Sequence, residues 1–283
     1  MSQTWLSPKI SCGLGNRLFQ FAASLGVAEL LKRKPVFYVP AIENVHHGAI
    51  ATLFRMYPHI PVIEEEAPCK KIMEPPNTFY KFIDLSGLKN EEGNIILDGS
   101  RQSPLYFPKD TRKLLPDWDS ALGGPVVRRM LEKELDLTEK AGRRESSYAI
   151  HIRLGDYKYL PHHQIPVLHY YKQALNYIPP FAGTRLVLFS DEPTLCHDIF
   201  KEVLAGRSIE LVVAPVHTDV ESLYQMSLCL GGTITANSTF SWWGAWFAHE
   251  NGAAWATYPD IWGTGLPPTT DLYPEWATVL RVS

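Results

Sequence analysis

The first half of the chain combines one helical pattern with several short strand patterns. A run at residues 8–12 predicts a strand that leads into a glycine-rich turn. Residues 36–39, 60–63 and 95–97 predict further strands, and the Pro-, Asn- and Gly-rich residues 75–93 predict a loop. Pro35 is expected to end the one clear helix. That helix is predicted by five apolar residues that share one face, namely Leu18, Phe21, Ala22, Leu25 and Ala28.

The second half alternates strands and helices regularly. Helical patterns at residues 168–177, 193–203, 219–230 and 238–246 separate strand patterns at 148–154, 186–189, 209–213, 233–236 and 253–258. In the second helix Leu195, Ile199 and Val203 share one face, following Pro193 in the first turn. Such alternation predicts a parallel sheet with helices on both faces, and it directs attention to residues just after each strand.

Gly, Arg and Ser cluster at residues 141–147, just before the strongest strand pattern of the chain. We therefore predict two α/β domains, an N-terminal one of residues 1–144 and a C-terminal one of residues 145–283. The second would bind the ligand, and its C-terminal tail can pack back on the first.

Composition and charge exclude several classes of protein. The 283 residues are 45% hydrophobic and 20% charged, with a formal net charge of −3 and no Lys/Arg-rich run, so nucleic acid is not an expected partner. The four cysteines form no CxxC pair and predict reduced thiols in a cytoplasmic protein. No stretch has the length and apolarity of a membrane span, and with the first motif at Gly13 we expect no transmembrane anchor.

The segment His151 to Tyr157 follows the strongest strand. Alternation along a strand puts His151 and Arg153 on one face, while Gly155 permits a sharp exit and Asp156 follows it. An arginine at this place can bind a phosphate through two nitrogen atoms. On spacing alone, an Arg153–Asp156 ion pair that braces the turn is an equally good interpretation.

A second polar segment lies where a strand ends and a helix begins. Asn237, Ser238, Thr239 and Phe240 would present main-chain amides and hydroxyl groups at a helix N-terminus, which is a natural anion site. The alternative is helix capping alone. The tryptophans that follow, Trp242, Trp243 and Trp246, are predicted to be core residues and not a sugar platform.

Two further segments carry possible chemistry. Asp191 directly follows a strand and can accept hydrogen bonds from the N1 and N2 edge of a guanine, although a helix cap ahead of Pro193 explains it as well. Gly13 and Gly15 predict a tight strand-to-helix turn close to a ligand. This segment lacks the third glycine of the dinucleotide fingerprint, since Leu18 stands there.

The sequence does not predict a metal site. Asp117-Trp118-Asp119 matches a DxD pattern, but so short a pattern often arises by chance and this one lies in a loop with capping residues. The pairs His46-His47 and His162-His163 have no partners at metal-ligand spacing. The chain also has no Walker loop and no GxSxG elbow.

Together these segments resemble the α-1,2-fucosyltransferase family. The matching pieces occur in the family's order over nearly the whole chain, and the string from Asn237 to Trp246 is the most specific. The others are residues 13–22, 97–99, 102–103, 106–107, 151–157 and 189–192.

The resemblance implies an α/β fold of the GT-B type, with two Rossmann-like domains that face each other across a cleft. It implies transfer of L-fucose from GDP-β-L-fucose to the 2-hydroxyl of a terminal galactose-type acceptor, with inversion and without a metal or other cofactor. It places Arg153 near the β-phosphate and Asn237, Ser238, Thr239 and Phe240 at the pyrophosphate. His151 and Asp191 would lie near the guanine or ribose, and Asn16 with the Gly13–Gly15 loop would reach across from the first domain.

Asp156 is a candidate general base or a residue that orients Arg153 or Asn16. Two positions depart from the family pattern, because Leu154 stands where many members have a second arginine and Arg17 stands where Gln is usual. Leu154 is expected to point into the core, and Arg17 can supply replacement charge. Two other functions stay open, a GDP-sugar transferase of different linkage or sugar, and a non-catalytic nucleotide- or carbohydrate-binding protein.

Overall fold

The structure is a computed structural model that describes residues 4–42, 50–138, 142–179, 181 and 183–282. His46 and His47 lie outside these residues. The chain forms two compact units. The first comprises Met1–Ala121 and Pro267–Pro274, and the second comprises Leu122–Leu266 and Glu275–Ser283.

The first unit contains two parallel sheets. Its four-stranded sheet has the order β2-β1-β6-β5, and β3 pairs with β4. The elements in chain order are β1 (Trp5–Pro8), α1 (Leu14–Leu31), β2 (Lys34–Pro35), β3 (Phe37–Tyr38), α2 (Ala51–Met56), β4 (Val62–Ile63), β5 (Cys69–Met73), β6 (Asn94–Asp98) and α3 (Trp118–Leu122).

The predicted first helix is confirmed as α1. Its Ala23, Val27 and Ala28 pack against Leu6 and Ile95 of the sheet. The helix ends at Leu31 and not at Pro35, because Lys32 adopts a left-handed conformation (φ 55°) and its amide donates to carbonyl oxygens of the last turn. The strand predicted at residues 8–12 is instead β1, which lies earlier in the chain.

Strand β5 was not predicted from the sequence. It lies at the edge of its sheet, and four of its five side chains are exposed, so it shows no alternation of buried and exposed positions. An exposed edge strand of this kind carries little hydrophobic signal.

The second unit contains a six-stranded parallel sheet of order β12-β11-β10-β7-β8-β9. The strands predicted in this half are observed within a few residues. The elements are α4 (Pro125–Glu134), β7 (Ser147–Ile152), α5 (Val167–Ala174), β8 (Arg185–Ser190), α6 (Pro193–Val203), β9 (Glu210–Val213), α7 (Asp219–Ser227), β10 (Gly232–Ile234), α8 (Thr239–Glu250), β11 (Ala256–Pro259) and β12 (Thr278–Leu280).

The apolar residues predicted to share one face of α6 differ in their exposure. Leu195 and Ile199 are exposed, whereas Val203 is partly buried against the core. Cys196 and Phe200, one residue further along, pack into the core instead. Leu154, by contrast, packs partly buried against this core, in line with the direction predicted for it.

The limit between the two units lies earlier than the domain boundary drawn between residues 144 and 145. Helix α4 belongs to the second unit because it packs on α7. Tyr224 of α7 donates to the Glu132 carboxylate, and the Gln225 side chain donates to the Leu131 carbonyl at 3.2 Å. The assignment of acceptor and donor roles to the domains 1–144 and 145–283 stays a prediction.

None of the helices within the described residues has both the length and the apolar character needed to cross a bilayer. All four cysteines carry free thiols, two of them exposed and two buried.

Gly26 of α1 is the position where an added methyl group should cost most. A Cβ there would overlap the main-chain carbonyl oxygen of Tyr106, and neither backbone can move without displacing a packed element. We expect Gly26→Ala to lower the free energy of unfolding by about 3 kcal/mol, as overpacking does. Gly87→Ala, which has open space around it, should change it by less than about 0.5 kcal/mol. Equal urea midpoints for the two variants would contradict the close packing at Gly26.

Candidate active site

The polar residues singled out in the second half come together at one edge of the six-stranded sheet. Strands β10, β7 and β8 are neighbours and run parallel, so their carboxyl ends meet at this edge. Arg153 follows β7, Asp191 follows β8 and Asn237 follows β10 by a few residues. Ligands of open parallel sheets bind at this edge.

Arg153 is held by two carboxylates. Its Nε and Nη2 atoms lie 3.0 and 2.9 Å from Oδ1 of Asp156, and its Nη1 lies 3.1 Å from Oδ2 of Asp191. The guanidinium carbon also lies 5.8 Å from the centre of the Tyr157 ring. A third of the Arg153 side chain stays exposed, so a fixed cation is available to an incoming anion.

Asp191 organises the turn after β7. Its Oδ1 accepts the amide of Leu154 and its Oδ2 accepts the amide of Gly155, each at 3.0 Å. Gly155 is required here because a Cβ would overlap the Asp191 carboxylate. Both oxygen atoms are thus engaged within the protein, which favours a positioning role over the predicted contact with guanine. The alternative of a cap for α6 is wrong, since the N-cap residue of α6 is Glu192.

His151 lies beneath this turn as a neutral side chain. It is 5% exposed, and its ring centre lies 5.2 Å from that of Phe240. Burial, helped by the nearby positive charge of Arg153, lowers its pKa from 6.5 to about 3. Its Nδ1 atom is buried without a hydrogen-bond partner. A neutral imidazole with an unused nitrogen can still hydrogen-bond a ligand.

Helix α8 begins directly after Ser238. Ser238 has the extended conformation of an N-cap, but its hydroxyl makes no capping hydrogen bond. Ser241 instead stabilises the entry to the helix, because its Oγ accepts the Ala236 amide at 3.0 Å. Ser238 thus occupies the N-cap position, but the alternative of helix capping alone gains no support from a hydrogen bond of its side chain. The first-turn amides of Thr239 and Phe240 cannot bond within the helix and suit an anion.

The side chain of Asn237 is engaged within the protein. Its buried side-chain amide donates to the carbonyl oxygens of His163 at 3.0 Å and Trp262 at 2.9 Å. The Asn237 carbonyl accepts the Tyr157 hydroxyl at 3.0 Å. Asn237 therefore ties three loops together, and its side-chain NH2 group is committed to the protein.

Sequence reasoning missed the connecting role of Tyr157. Its ring stacks on His163 with centres 4.5 Å apart and planes at 11°, and the Arg153 guanidinium carbon lies 5.8 Å from its centre. Burial raises the pKa of its hydroxyl to about 12, so it stays a hydrogen-bond donor at neutral pH. The only sequence signal was its place at the end of the motif that starts at His151.

The tryptophans of helix α8, Trp242, Trp243 and Trp246, are buried, which confirms their predicted core role.

In the first unit the predicted residues lie at the start of α1. Gly13 is the N-cap residue, with open space where a Cβ would be, and Gly15 is buried in the first turn. Asn16 is half-buried, and its Oδ1 accepts Nε2 of Gln102 at 2.8 Å. Arg17 is fully buried, and its Nε donates to the Cys12 carbonyl. This geometry suits a brace for the loop and gives no support to a role as replacement charge.

Over the stretches of chain that the structure describes, no three His, Cys, Asp or Glu side chains are grouped in a way that would hold a metal ion. At the DxD pattern, the Asp117 carboxylate accepts the Ser120 amide at 2.9 Å, which is a capping contact.

Comparison with known proteins bears on the family. Residues 127–260 match the model of glycosyl transferase family 11. The chain is 25% identical to a galactoside 2-α-L-fucosyltransferase of Caenorhabditis elegans, a match that covers 82% of this chain and 65% of that protein. It is 26% identical to an α-1,2-colitosyltransferase of Escherichia coli, with 84% and 86% covered. These similarities agree with the resemblance to the α-1,2-fucosyltransferase family that the sequence motifs indicate.

The matching family model and both relatives are glycosyltransferases, which agrees with the enzyme class predicted from the sequence. A further relative is the O-antigen biosynthesis glycosyltransferase WbnK of Escherichia coli, 34% identical over 35% of this chain and 33% of that protein. The chain thus spans 65% and 33% of the lengths of the Caenorhabditis elegans relative and WbnK.

Solved structures bear on the fold. The NodZ α-1,6-fucosyltransferase co-crystallised with GDP superposes with a TM-score of 0.54 at 14% identity, covering 86% of this chain and 92% of that one. A second structure of NodZ, from Bradyrhizobium, gives 0.53 at 12% identity, covering 86% and 93%. Together with the two parallel-sheet units, these likenesses confirm the predicted α/β fold of the GT-B type.

His151 should make the chain less stable in acid. The unfolded chain takes up the proton at the ordinary pKa of 6.5, whereas the folded site resists it down to about 3, so unfolding becomes easier as the pH falls through this window. We expect His151→Gln to lessen the loss in unfolding free energy between pH 7 and pH 5 by about 2 kcal/mol. Urea unfolding at both pH values measures this, with His169→Gln on the surface of α5 as the control. An unchanged loss in His151→Gln would contradict a buried neutral imidazole.

Proposed function

We propose that the chain is an inverting glycosyltransferase that moves L-fucose from GDP-β-L-fucose to the 2-hydroxyl of a terminal galactose-type acceptor. Support comes from the galactoside 2-α-L-fucosyltransferase among its relatives and from the GDP bound by NodZ, which shares the fold. We further propose that it acts in the cytoplasm on a glycan or oligosaccharide.

The observation that carries this proposal is the fixed cation at the end of β7. Arg153 is oriented by Asp156 and Asp191 before any ligand arrives, and Tyr157 links it to the loop that leads into α8. A diphosphate at this edge would meet the guanidinium from one strand end and the α8 amides of Thr239 and Phe240 from another. Both groups favour negative charge.

The same arrangement supplies what the reaction needs. When the bond from the fucosyl carbon to the diphosphate oxygen breaks, negative charge grows on GDP, and preorganised donors stabilise that charge without reorganising. The acceptor hydroxyl attacks the carbon from the opposite face and loses its proton to a base. Because Arg153 engages the Asp156 carboxylate through two nitrogen atoms, we assign Asp156 to orienting Arg153 in preference to acting as that base.

His151 and Asp191 hold the other parts of the donor site in different ways. The unused Nδ1 of His151 is suited to a hydrogen bond with the nucleoside, whereas Asp191 acts by holding the turn that carries Arg153. In the first unit, Gly13 and Gly15 allow a close approach to the start of α1, where Asn16 offers an amide. We propose that Gly13, Gly15 and Asn16 contact the donor.

A second donor is favoured by one comparison. The α-1,2-colitosyltransferase relative is matched over most of both chains. Its name gives the same α-1,2 linkage but a different sugar. Turnover of GDP-fucose beside other GDP-sugars on one β-galactoside acceptor, followed by linkage analysis, separates the two donors. Binding of GDP in calorimetry without any product would instead indicate a non-catalytic binding protein.

Arg153→Ala should lower kcat about 100-fold or more with GDP-fucose, the loss typical of one preorganised donor to developing charge. The control is Arg112→Ala, which removes an exposed arginine that also pairs with an aspartate and is not among the predicted ligand contacts. Its kcat should equal that of the wild type. A folded Arg153→Ala protein with near-wild-type turnover would remove this residue from the mechanism.

Transfer should persist in excess EDTA, because the guanidinium and the helix amides take the role that a divalent ion has in other glycosyltransferases. The rate of GDP release is measured with and without the chelator on dialysed protein. Complete loss that manganese restores would point to Asp117 and Asp119 as metal ligands and overturn the metal-independent assignment.

A further inference from the structure

The side chain of Gln102 lies against Asn16 in the first unit. Gln102 is buried, and its Nε2 donates to the Asn16 Oδ1 at 2.8 Å. The two residues come from elements far apart in the chain, the loop after β6 and the first turn of α1. Their contact therefore exists only because the fold brings the two segments together.

The loop that carries Gln102 is itself held in place. The Glu74 carboxylate accepts the amides of Ser100 at 2.7 Å and Arg101 at 2.8 Å. The main-chain amide of Gln102 donates to the Phe79 carbonyl at 2.8 Å. With three main-chain amides in succession bonded, the Gln102 side chain starts from a fixed backbone.

A primary amide has two different ends, an oxygen that accepts and an NH2 group that donates. Because Gln102 donates to Oδ1 of Asn16, the NH2 group is the end of the Asn16 amide that is left to donate to a ligand. Asn16 lies in the first turn of α1, three residues after Gly13, which is the N-cap residue, has no side-chain capping bond and has open space where a Cβ would be. Main-chain amides and the positive end of the helix dipole favour an anion at the same place.

We propose that Gln102 is a positioning residue that turns the Asn16 amide so that its NH2 group donates to an anionic oxygen of the bound nucleotide-sugar. This inference rests on the proposed function, because it needs a nucleotide-sugar at the start of α1. Gln102 acts through Asn16 and does not itself touch the ligand.

The decisive variant is Gln102→Glu, which keeps the shape of the side chain but, when ionised, can only accept. The carboxylate should accept a hydrogen bond from the Asn16 NH2 group, so that the Asn16 amide rotates and its oxygen atom faces the anion. We expect kcat/KM for GDP-fucose at pH 8 to fall about 10- to 100-fold, the effect of replacing one hydrogen bond to a charged group by repulsion.

The pH profile separates positioning from a general structural effect. Because the position is buried, the pKa of the carboxyl introduced by Gln102→Glu should lie above its usual value of about 4.3, so that it takes up a proton as the pH falls toward 5 and can donate to Asn16 again. The ratio of variant to wild-type kcat/KM should therefore rise toward one between pH 8 and pH 5. Neighbouring charged groups, Glu74, Arg101 and Arg17, are present in both proteins, so their titration cancels in the ratio.

Three further variants complete the test. Gln102→Met leaves the Asn16 amide free to rotate and should cause a smaller loss that does not recover in acid. Asn16→Asp keeps the inner contact with Gln102 but presents an oxygen outward, so it should lose as much as Gln102→Glu, and the double variant should lose no more than either. Gln173→Glu makes the same chemical change on α5 of the second unit and should behave as wild type.

The outcomes distinguish this inference from the proposed function. If the wild type transfers fucose and Gln102→Glu matches it at pH 8, the positioning role is overturned while the function stands. A loss that stays constant with pH and accompanies a lower Tm also overturns it. If the Gln102→Glu chain does not fold, Asn16→Asp alone decides, and wild-type activity there rejects the role. Absence of both GDP binding and transfer in the wild type overturns the function and this inference together.

Discussion

The carboxylate of Asp191 accepts the amides of Leu154 and Gly155 and pairs with Arg153, so one side chain at the end of β8 fixes the turn after the neighbouring strand β7. Hydrogen bonds to a charged acceptor contribute about 1.5–3 kcal/mol each. Ordering the backbone of each residue costs about 1–2 kcal/mol. Two such bonds are therefore enough to hold the two residues of this turn. The direction of the Arg153 guanidinium, and with it the proposed grip on a diphosphate, depends on this contact.

Hydrogen bonding divides the polar residues of the site into those that support loops and those that remain available to a ligand. Asn237 and Asp191 direct their hydrogen bonds to main-chain groups of nearby loops. His151 and Arg153 keep an unused nitrogen or an exposed fraction of the side chain. In a sequence motif the supporting residues cannot be told from the ligand contacts, because both kinds occur side by side. Only their hydrogen-bond partners distinguish them.

Much of the fold was predictable because the second half alternates strands and helices with clear periodicity, and because α1 has a five-residue apolar face. The failures have local causes. Strand β5 is an exposed edge without alternation, and on α6 the helical spacing of Leu195 and Ile199 was right, but a second apolar pair, Cys196 and Phe200, is the one that faces the core. At the site, spacing along the chain correctly suggested the pairing of Arg153 with Asp156. It could not show that Asp191, far along the chain, would bond the amides after β7, because the distance between two strands is not encoded in spacing along one of them.

The second unit closes on itself only with the last residues of the chain. Strand β12 forms the outer edge of its sheet, Val282 enters its core, and Trp276 stacks on His249 at 4.0 Å between ring centres. The segment Pro267–Pro274 just before them belongs to the first unit. A fragment ending at residue 266 would therefore leave the flank of β11 unpaired and His249 without its aromatic neighbour. Expressing the second unit alone would require splicing residues 275–282 directly to residue 266, or a circular permutation.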